Sequence, residues 1–318
     1  MRLKWIAAVM AAMALSSCGM TGKKPSRDAG AATAATALQD SLQTVAGLYP
    51  GEIGIALITD RGDTVLVNNE DKYPLMSVFK LHQAISLCHL FDQRGVSLDS
   101  IVTLRRNELN PDTWSPMLKD HPGDEITVPV RELLVYTLTQ SDNNASNWMF
   151  GNIESVTATD SLVSTVIPRG SFRLEVTEAD MWGDHSLCYR NHSSPLGAAG
   201  LINRLFTDSI LSPGAADFIR TTLRECKTGA DRITAPLKDR EEVVVAHKTG
   251  SGFRDSNGIL TAHNDVAFVE LPGNRHYALA VLVKDFNGSE SDAAAAIARV
   301  SAIVYDWTKK SVDLKIKH

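Results

Sequence analysis

Residues 73–95 read YPLMSVFKLHQAISLCHLFDQRG, and this stretch marks the change from a β-rich to a helical part of the chain. Its apolar residues recur at helical spacing, so it predicts a long helix that begins near Pro74 and stops at Gly95. Upstream lie two β-rich runs, 51–59 (GEIGIALIT) and 63–69 (DTVLVNN), separated by Asp60-Arg61-Gly62, which is typical of a hairpin.

Downstream of this stretch the chain stays helical to about residue 230, and strand-like runs then return at 241–250, 263–273 and 275–286. A final helical run covers 291–310. Strands at both ends with helices between them predict an α/β (α+β) fold. Residues 37–73 and 232–318 would form a sheet-containing domain, with residues 74–231 inserted as an all-helical domain and a cleft between the two.

The N-terminus is typical of an export signal. In residues 1–17 two basic residues precede an apolar run too short to span a bilayer. The signal ends in Leu15-Ser-Ser-Cys18-Gly19, which resembles a bacterial lipobox, although an ordinary signal with a chance cysteine is the alternative. Both interpretations predict a protein of the periplasm of a Gram-negative-type cell, lipid-anchored if Cys18 is modified. The small, polar residues 18–36 predict a flexible tether.

Composition narrows the function classes. The 318 residues are 44% hydrophobic and carry a net charge of -5, which argues for a globular core and against nucleic acid as a partner. The four cysteines form no C-x-x-C pair and the nine histidines no H-E-x-x-H, so no metal or cofactor is expected. Cys88 lies in an apolar run and predicts a buried thiol, whereas pairing of Cys188 with Cys226 stays open. We expect a monomer.

Ser77 and Lys80 are the first candidate catalytic pair. Three residues apart, they share one face of the predicted helix, and Ser77 lies in its first turn, where free N–H groups favour a developing anion. Apolar neighbours desolvate Lys80 and favour its neutral amine, which could take the serine proton. Alone the pattern is weak, because S-x-x-K arises by chance about once in a chain of this length.

Two tripeptides strengthen this interpretation. Ser141-Asp-Asn143 falls at a break between two helical patterns, where a plain helix cap is the simplest explanation. Lys248-Thr-Gly250 ends a β-rich run, where an ordinary strand end would also suffice. Each arises by chance about one time in ten, so both in order after S-x-x-K have odds of about a hundredth.

Together, Ser77-x-x-Lys80, Ser141-Asp-Asn143 and Lys248-Thr-Gly250 are the motif set of class A β-lactamases and penicillin-binding proteins. The chain resembles a class A serine β-lactamase over residues 40–310. The flanking segments YPLMSVFKLHQA, TWSPMLKD and LRECKTGADRI are similar to the divergent branch of extended-spectrum cephalosporinases. The resemblance implies an antiparallel sheet flanked by helices beside an all-helical domain, and a small-molecule β-lactam as substrate.

The resemblance also implies catalytic roles. Ser77 attacks the β-lactam carbonyl, either Lys80 or Glu178 through a water takes its proton, and Ser141 passes a proton to the leaving nitrogen. Asn143 orients Lys80 and the side-chain amide of the substrate. The backbone N–H groups of Ser77 and Ser251 form the oxyanion hole.

The resemblance further implies which residues bind the substrate. The residues that hold the substrate carboxylate are Lys248, Thr249, Gly250 and Ser251. Trp114 matches an aromatic at the rim of the cleft, although an ordinary loop tryptophan explains it almost as well.

The deacylating glutamate has two candidates. Glu175 fits the R-x-E pattern of the commoner enzymes, and Glu178 fits the T-E-x-x-M pattern of the divergent branch. We favour Glu178 because more flanking sequence agrees with that register. The chain departs from the commoner pattern at Trp182, where an asparagine would help to hold the water; tryptophan has a donor but no acceptor.

Two rival functions share the motif set. A D,D-peptidase uses the same nucleophile without an efficient deacylating base, and a non-catalytic penicillin-binding sensor stays acylated. The sensor usually carries transmembrane and signalling segments, whereas this chain shows only a short export signal.

Overall fold

The computed structural model describes residues 27–70 and 72–316, in which helices pack on both faces of an antiparallel sheet. The helices are α1 (Arg27–Ala46), α2 (Phe79–Arg94), α3 (Pro116–Asp120), α4 (Val130–Thr139), α5 (Asn143–Asn152), α6 (Val156–Val166), α7 (Glu178–Gly183), α8 (Pro195–Thr207), α9 (Pro213–Arg224) and α10 (Glu290–Ile316). The strands are β1 (Glu52–Thr59), β2 (Thr64–Val67), β3 (Tyr73–Pro74), β4 (Ile101–Arg105), β5 (Glu125–Pro129), β6 (Phe172–Arg173), β7 (His192–Ser193), β8 (Val244–Ser251), β9 (Leu260–Leu271) and β10 (Arg275–Phe286).

The main sheet joins the two ends of the chain, as the sequence predicts. Its strand order is β2-β1-β10-β9-β8, and all neighbouring strands are antiparallel. The hairpin expected at Asp60-Arg61-Gly62 is present between β1 and β2, and Gly62 has a φ of 81°, a conformation that glycine adopts without steric cost. The α/β (α+β) fold with an antiparallel sheet flanked by helices is therefore confirmed.

The two faces of the sheet bury different side chains because successive residues of a strand point to opposite sides. In β10, Ala278, Ala280 and Leu282 pack with the central helices, including α8. Tyr277, Leu279, Val281 and Val283 pack on the opposite face with α1 and α10. The alanines leave room for α8 to lie close to the strands.

The flexible tether predicted for residues 18–36 is wrong from Arg27 onward, because α1 begins there. Residues 28–37 are rich in alanine, the strongest helix former, and this composition outweighs the small polar residues among them. Leu38 is buried and Ala35 packs beside it against the sheet. The predicted signal and Cys18 lie outside the described residues.

Residues 74–231 are mainly helical, but the all-helical domain expected there is wrong in detail. β4 and β5 pair as a two-stranded sheet, and β3, β7 and β6 form a second small one. The alternation of exposed and buried residues along Glu125–Pro129 fits a half-buried strand. The division of the chain into two domains remains a prediction.

The helix expected to open at Pro74 starts later. Pro74 ends the short strand β3, a 3₁₀ turn follows over Met76–Val78, and α2 begins at Phe79. Pro74 suits a strand edge because its missing N–H costs no ladder bond there. The predicted stop is confirmed: Gly95 caps α2 with a φ of 61°. Within the described part of the chain, no helix has both the length and the apolarity to cross a bilayer.

Candidate active site

The side chains of Ser77, Lys80 and Glu178 meet at the start of α2. Ser77 lies in the 3₁₀ turn, and its hydroxyl donates to Glu178 Oε1 at 2.6 Å. Lys80 Nζ lies 3.0 Å from both Ser77 Oγ and Glu178 Oε1. Met76, next to the serine, has a φ of 46°, a left-handed conformation uncommon outside glycine and frequent at functional sites. An amine and a carboxylate therefore both reach the hydroxyl.

Lys80 is completely buried and its donors are all used. Besides Ser77, its ammonium group donates to Asn143 Oδ1 at 2.6 Å and to the carbonyl oxygen of Ser141 at 2.8 Å. Burial lowers the pKa of Lys80, although the charge and the hydrogen bond of Glu178 oppose this shift. The neutral amine is thus favoured relative to an exposed lysine, as the sequence predicts.

The Ser141-Asp-Asn143 segment connects α4 to α5, as expected from the break between helical patterns. Asp142 caps α5 by accepting from the backbone N–H of Ala145 at 2.9 Å. The same carboxylate accepts from the Ser115 hydroxyl and the Met117 N–H, which fixes the loop from a second side. Ser141 has a φ of 59°, and this turn points its carbonyl and hydroxyl oxygens toward Lys80.

Glu178 is the first residue of α7, and the helix start holds it in place. Thr177 and Asp180 form a capping box, in which each side chain accepts from the backbone N–H of the other residue. The Glu178 side chain is 6% exposed. Glu175, by contrast, forms ion pairs with Arg173 and Arg190. Of the two candidate glutamates, the one that contacts Ser77 is Glu178.

Strand β8 carries Lys248-Thr249-Gly250-Ser251 along the other side of Ser141. Lys248 Nζ donates to Ser141 Oγ at 3.0 Å and to the carbonyl oxygen of Thr249 at 2.9 Å. Burial lowers the pKa of Lys248 to about 7. The hydroxyl of Ser141 therefore lies between two buried amines, those of Lys80 and Lys248.

Gly250 allows β8 to pass close to the turn that carries Ser77. A Cβ at this position would overlap the carbonyl oxygen of Leu75 and lie 3.1 Å from the Val78 nitrogen. Asn264, opposite Gly250 in β9, donates to the carbonyl oxygen of Pro74 at 2.7 Å. The sheet thereby holds the turn that carries Ser77 directly.

Sequence analysis missed Arg232. This arginine is 7% exposed and donates to the carbonyl oxygen of Asn264 at 2.7 Å and to Ser251 Oγ at 2.6 Å. Arg232 and Lys248 thus place two buried basic side chains at β8, an arrangement that suits a carboxylate. The segment LRECKTGADRI (residues 223–233) pointed to a family branch, but nothing in the sequence predicts that Arg232 folds back onto β8.

Two tryptophans lie at the exposed edge of this region. Trp114 is 56% exposed; its indole donates to the carbonyl oxygen of Gln140 and its own carbonyl accepts from Asn143 N at 3.0 Å. Trp182 is 42% exposed and meets the Phe253 ring edge-on at 6.3 Å. Trp114 is thus tied to the Ser141–Asn143 loop, and Trp182 contacts the loop that follows β8.

The described cysteines are unpaired. Cys88 and Cys188 are buried, as predicted for Cys88, while Cys226 is partly exposed, and none forms a disulfide in the described ranges. No group of three or more His, Cys, Asp or Glu side chains among residues 27–70 and 72–316 is arranged to hold a metal ion.

Comparisons with known proteins agree on one family. Residues 37–308 match the model of the β-lactamase enzyme family. A β-lactamase of Phocaeicola vulgatus is 53% identical over 283 residues, covering 89% of this chain and 88% of that protein. The extended-spectrum β-lactamase PER-1 of Pseudomonas aeruginosa is 31% identical, covering 86% and 88%.

A solved structure extends this agreement to the fold. The crystal structure of a representative class A β-lactamase from Bacteroides cellulosilyticus superposes with a TM-score of 0.82 at 29% identity. The match covers 87% of this chain and 99% of that one. Sequence and fold therefore agree on one enzyme class.

Proposed function

Because the chain belongs to the class A β-lactamases, enzymes that hydrolyse β-lactams, we propose that hydrolysis proceeds here through an acyl-enzyme on Ser77. The observation that carries this proposal is the network around one hydroxyl: Glu178 Oε1 at 2.6 Å and Lys80 Nζ at 3.0 Å. A serine gains nucleophilicity when a neighbouring base can take its proton. Hydrolysis of the ring gives the cell resistance to β-lactam antibiotics.

Two groups can take the proton of Ser77 during acylation. The buried Lys80 amine acts directly if it is neutral, a state that its lowered pKa favours. Glu178 acts through a water or by its own contact with the hydroxyl. In either case, the backbone N–H groups of Ser77 and Ser251 stabilise the negative charge on the carbonyl oxygen.

Ser141 passes a proton to the leaving lactam nitrogen. Its hydroxyl accepts from Lys248 Nζ at 3.0 Å and lies 3.4 Å from Lys80 Nζ, so it can be resupplied with a proton from either amine. Asn143 holds Lys80 through its Oδ1 and also orients the side-chain amide of the substrate.

The substrate carboxylate binds beside β8. Lys248 supplies a positive charge, and the hydroxyls of Thr249 and Ser251 donate hydrogen bonds; Gly250 permits the close approach of the strand. Arg232 adds its charge and fixes the Ser251 hydroxyl. Trp114 forms part of the cleft rim.

Deacylation needs a base that activates a water, and we assign this role to Glu178. Its carboxylate lies beside Ser77, where the ester forms, while Glu175 is held by two arginines. Trp182 stands in the position of the asparagine of commoner relatives, and its indole offers that water a donor but no acceptor.

A chromogenic cephalosporin tests the proposal. The purified protein should hydrolyse it with many turnovers per molecule, because an efficient deacylating base is at hand. A single stoichiometric burst would instead identify a D,D-peptidase or a penicillin-binding sensor.

We also propose export to the periplasm with a lipid on Cys18 as a membrane tether. The support is the lipobox-like sequence at residues 15–19. Native protein should fractionate with membranes, and Cys18→Ser should appear as soluble periplasmic protein or uncleaved precursor. A native protein that is already soluble would leave an ordinary signal as the explanation.

A further inference from the structure

Beside the proposed site, a thiol, an imidazole and a carboxylate lie in a row that the proposed hydrolysis does not use. Cys226 follows α9, His247 precedes Lys248 on β8, and Asp265 lies on β9. His247 Nδ1 is 2.9 Å from Asp265 Oδ1, and the same imidazole is a close neighbour of the Cys226 thiol. His247 and Asp265 are 3% and 0% exposed, so the sheet fixes both. A carboxylate that orients an imidazole beside a thiol is an arrangement that activates cysteine.

The charges around Cys226 favour its thiolate. Burial acts to raise the pKa of the thiol, but the charge and hydrogen bond of His247, helped by Lys248, lower it to about 7. Burial acts to lower the pKa of His247, yet Asp265 and Cys226 together raise it to about 10. Arg232 adds a further positive charge near the thiol. The basic side chains that act on the Cys226 thiol are therefore those of His247, Lys248 and Arg232.

The other described cysteines provide an internal contrast. Cys88 and Cys188 are 1% and 0% exposed, and burial raises the pKa of each thiol to about 12. Cys226 is partly exposed. Reactivity of a cysteine follows thiolate character and access, and Cys226 alone among these three has both.

Cys226 is also linked to the proposed carboxylate-binding strand. Its Sγ lies 3.4 Å from Thr228 Oγ1, and that hydroxyl lies 2.6 Å from Thr249 Oγ1. A Cβ at Gly229 would overlap the Thr249 methyl group, so this loop packs tightly against β8. A group attached to Cys226 would therefore displace Thr228 and, with it, Thr249.

We propose that Cys226 is a modification site for small-molecule disulfides, and that its modification switches off substrate binding. The Cys226 thiolate attacks one sulfur of R–S–S–R, a Cys226–S–S–R bond forms, the original S–S bond breaks, and RS⁻ leaves. The cysteine is oxidised and one RS group is reduced, so the small disulfide is the only oxidant needed. A small thiol reverses the step. The effect on hydrolysis rests on the proposed function, whereas the modification itself does not.

The first test measures modification alone. The full-length chain carrying Cys18→Ser is mixed with a chromogenic aromatic disulfide (dithiobis-nitrobenzoate), and the released thiolate is followed from pH 5 to pH 10. We expect one fast equivalent, mapped by peptide mass to Cys226, with a rate inflection near pH 7. Cys88 and Cys188 should react only after denaturation. A fast equivalent elsewhere, or an inflection at Cys226 near the ordinary thiol pKa of about 8.5, would overturn the proposal.

His247→Asn is the matched variant, because it removes the charge beside the thiol. The rate at pH 7 should fall about three- to fourfold. If the thiol returns to its ordinary pKa of about 8.5, the thiolate fraction drops about sixteenfold, and the greater nucleophilicity of a more basic thiolate recovers part of this. An unchanged rate would contradict the role of His247. The pH profile of the parent chain needs no variant, so it decides the question even if His247→Asn does not fold.

The second test measures the effect on hydrolysis. After modification, KM for a cephalosporin should rise at least about tenfold, the effect of losing one hydrogen bond to a charged group, with a smaller change in kcat. Reduction with dithiothreitol should restore KM, and Cys226→Ser should keep the parent KM throughout. If Cys226 is modified and KM stays unchanged, the site is reactive but the proposed effect on substrate binding is wrong. If the unmodified protein does not hydrolyse the cephalosporin, it is the proposed function that is wrong.

Discussion

Ser77 donates a 2.6 Å hydrogen bond to Glu178, which lies 101 positions later in the chain. The serine lies in the turn before α2, and the glutamate begins α7. The contact brings the proposed nucleophile and the proposed deacylating base into direct hydrogen-bond contact. It is also the contact that distinguishes Glu178 from Glu175, and the following predictions depend on it and on its surroundings.

Ser77→Ala should abolish hydrolysis and leave the fold intact. It removes the proposed nucleophile, so kcat/KM should fall more than about 10³-fold. Intact-protein mass spectrometry should show a β-lactam adduct in the parent and none in the variant. Ser41→Ala, on the exposed face of α1, is the matched control and should behave like the parent. An adduct mapped to another serine would contradict the assignment.

Activity should fall as pH rises through about 7. In the proposed mechanism Lys248 binds the substrate carboxylate only as the ammonium ion. Burial lowers its pKa to about 7, so the binding form is lost above that pH. The kcat/KM for an anionic cephalosporin, which reports the free enzyme, should decrease on the alkaline side.

Lys248→Arg is the control for this pH dependence. Guanidinium stays charged throughout, so the alkaline decrease near pH 7 should disappear even if the variant is slower overall. Persistence of the same decrease in Lys248→Arg would assign it to another group.

Gly250→Ala should impair both stability and acylation. The added methyl group would overlap the Leu75 carbonyl and push apart β8 and the turn that carries Ser77. Overpacking of this kind costs about 1–3 kcal/mol of unfolding free energy, measured as a lower Tm. Gly214→Ala, on α9 with nothing near its Cβ position, should not lower Tm, because alanine is a better helix former than glycine. Equal effects at both positions would refute the close-approach argument.

Cephalosporins, including those with bulky oxyimino groups, should be better substrates than penicillins. The support is the similarity to the extended-spectrum β-lactamase PER-1 and the presence of Ser251 directly after Lys248-Thr-Gly250. Values of kcat/KM for one penicillin and two cephalosporins check this. A strong preference for the penicillin would show that the similarity does not extend to substrate choice.

The features that are predicted best from the sequence are those set by the residue at a single position, such as the ends of helices. Asp142 caps α5 and Gly95 ends α2 because their side chains, or the lack of one, suit those backbone positions. The three motifs were recognisable together because their residue types and order are rare by chance, although none of them encodes a distance.

Features that depend on the whole fold were missed. Arg232 contacts Ser251 only because the turn after α9 packs on β8, and Cys226 meets His247 for the same reason. Pro74 fits either a helix start or a strand edge, and its pairing with His192 selects the strand. The helix at residues 27–36 was overlooked because small residues suggested a tether, whereas the packing of Ala35 and Leu38 on the sheet favours α1.

The assignment of Glu178 as the deacylating base is tested most directly by comparing Glu178→Gln with Glu175→Gln. Glutamine keeps the shape and the hydrogen bonding of glutamate but has no basicity. After mixing with a cephalosporin, Glu178→Gln should accumulate a stable adduct on Ser77, seen by intact-protein mass, while turnover falls about 10²–10⁴-fold. Glu175→Gln should turn over nearly as the parent does, because its carboxylate pairs with arginines away from Ser77. A stalled acyl-enzyme in Glu175→Gln, or unimpaired turnover in Glu178→Gln, would contradict the account.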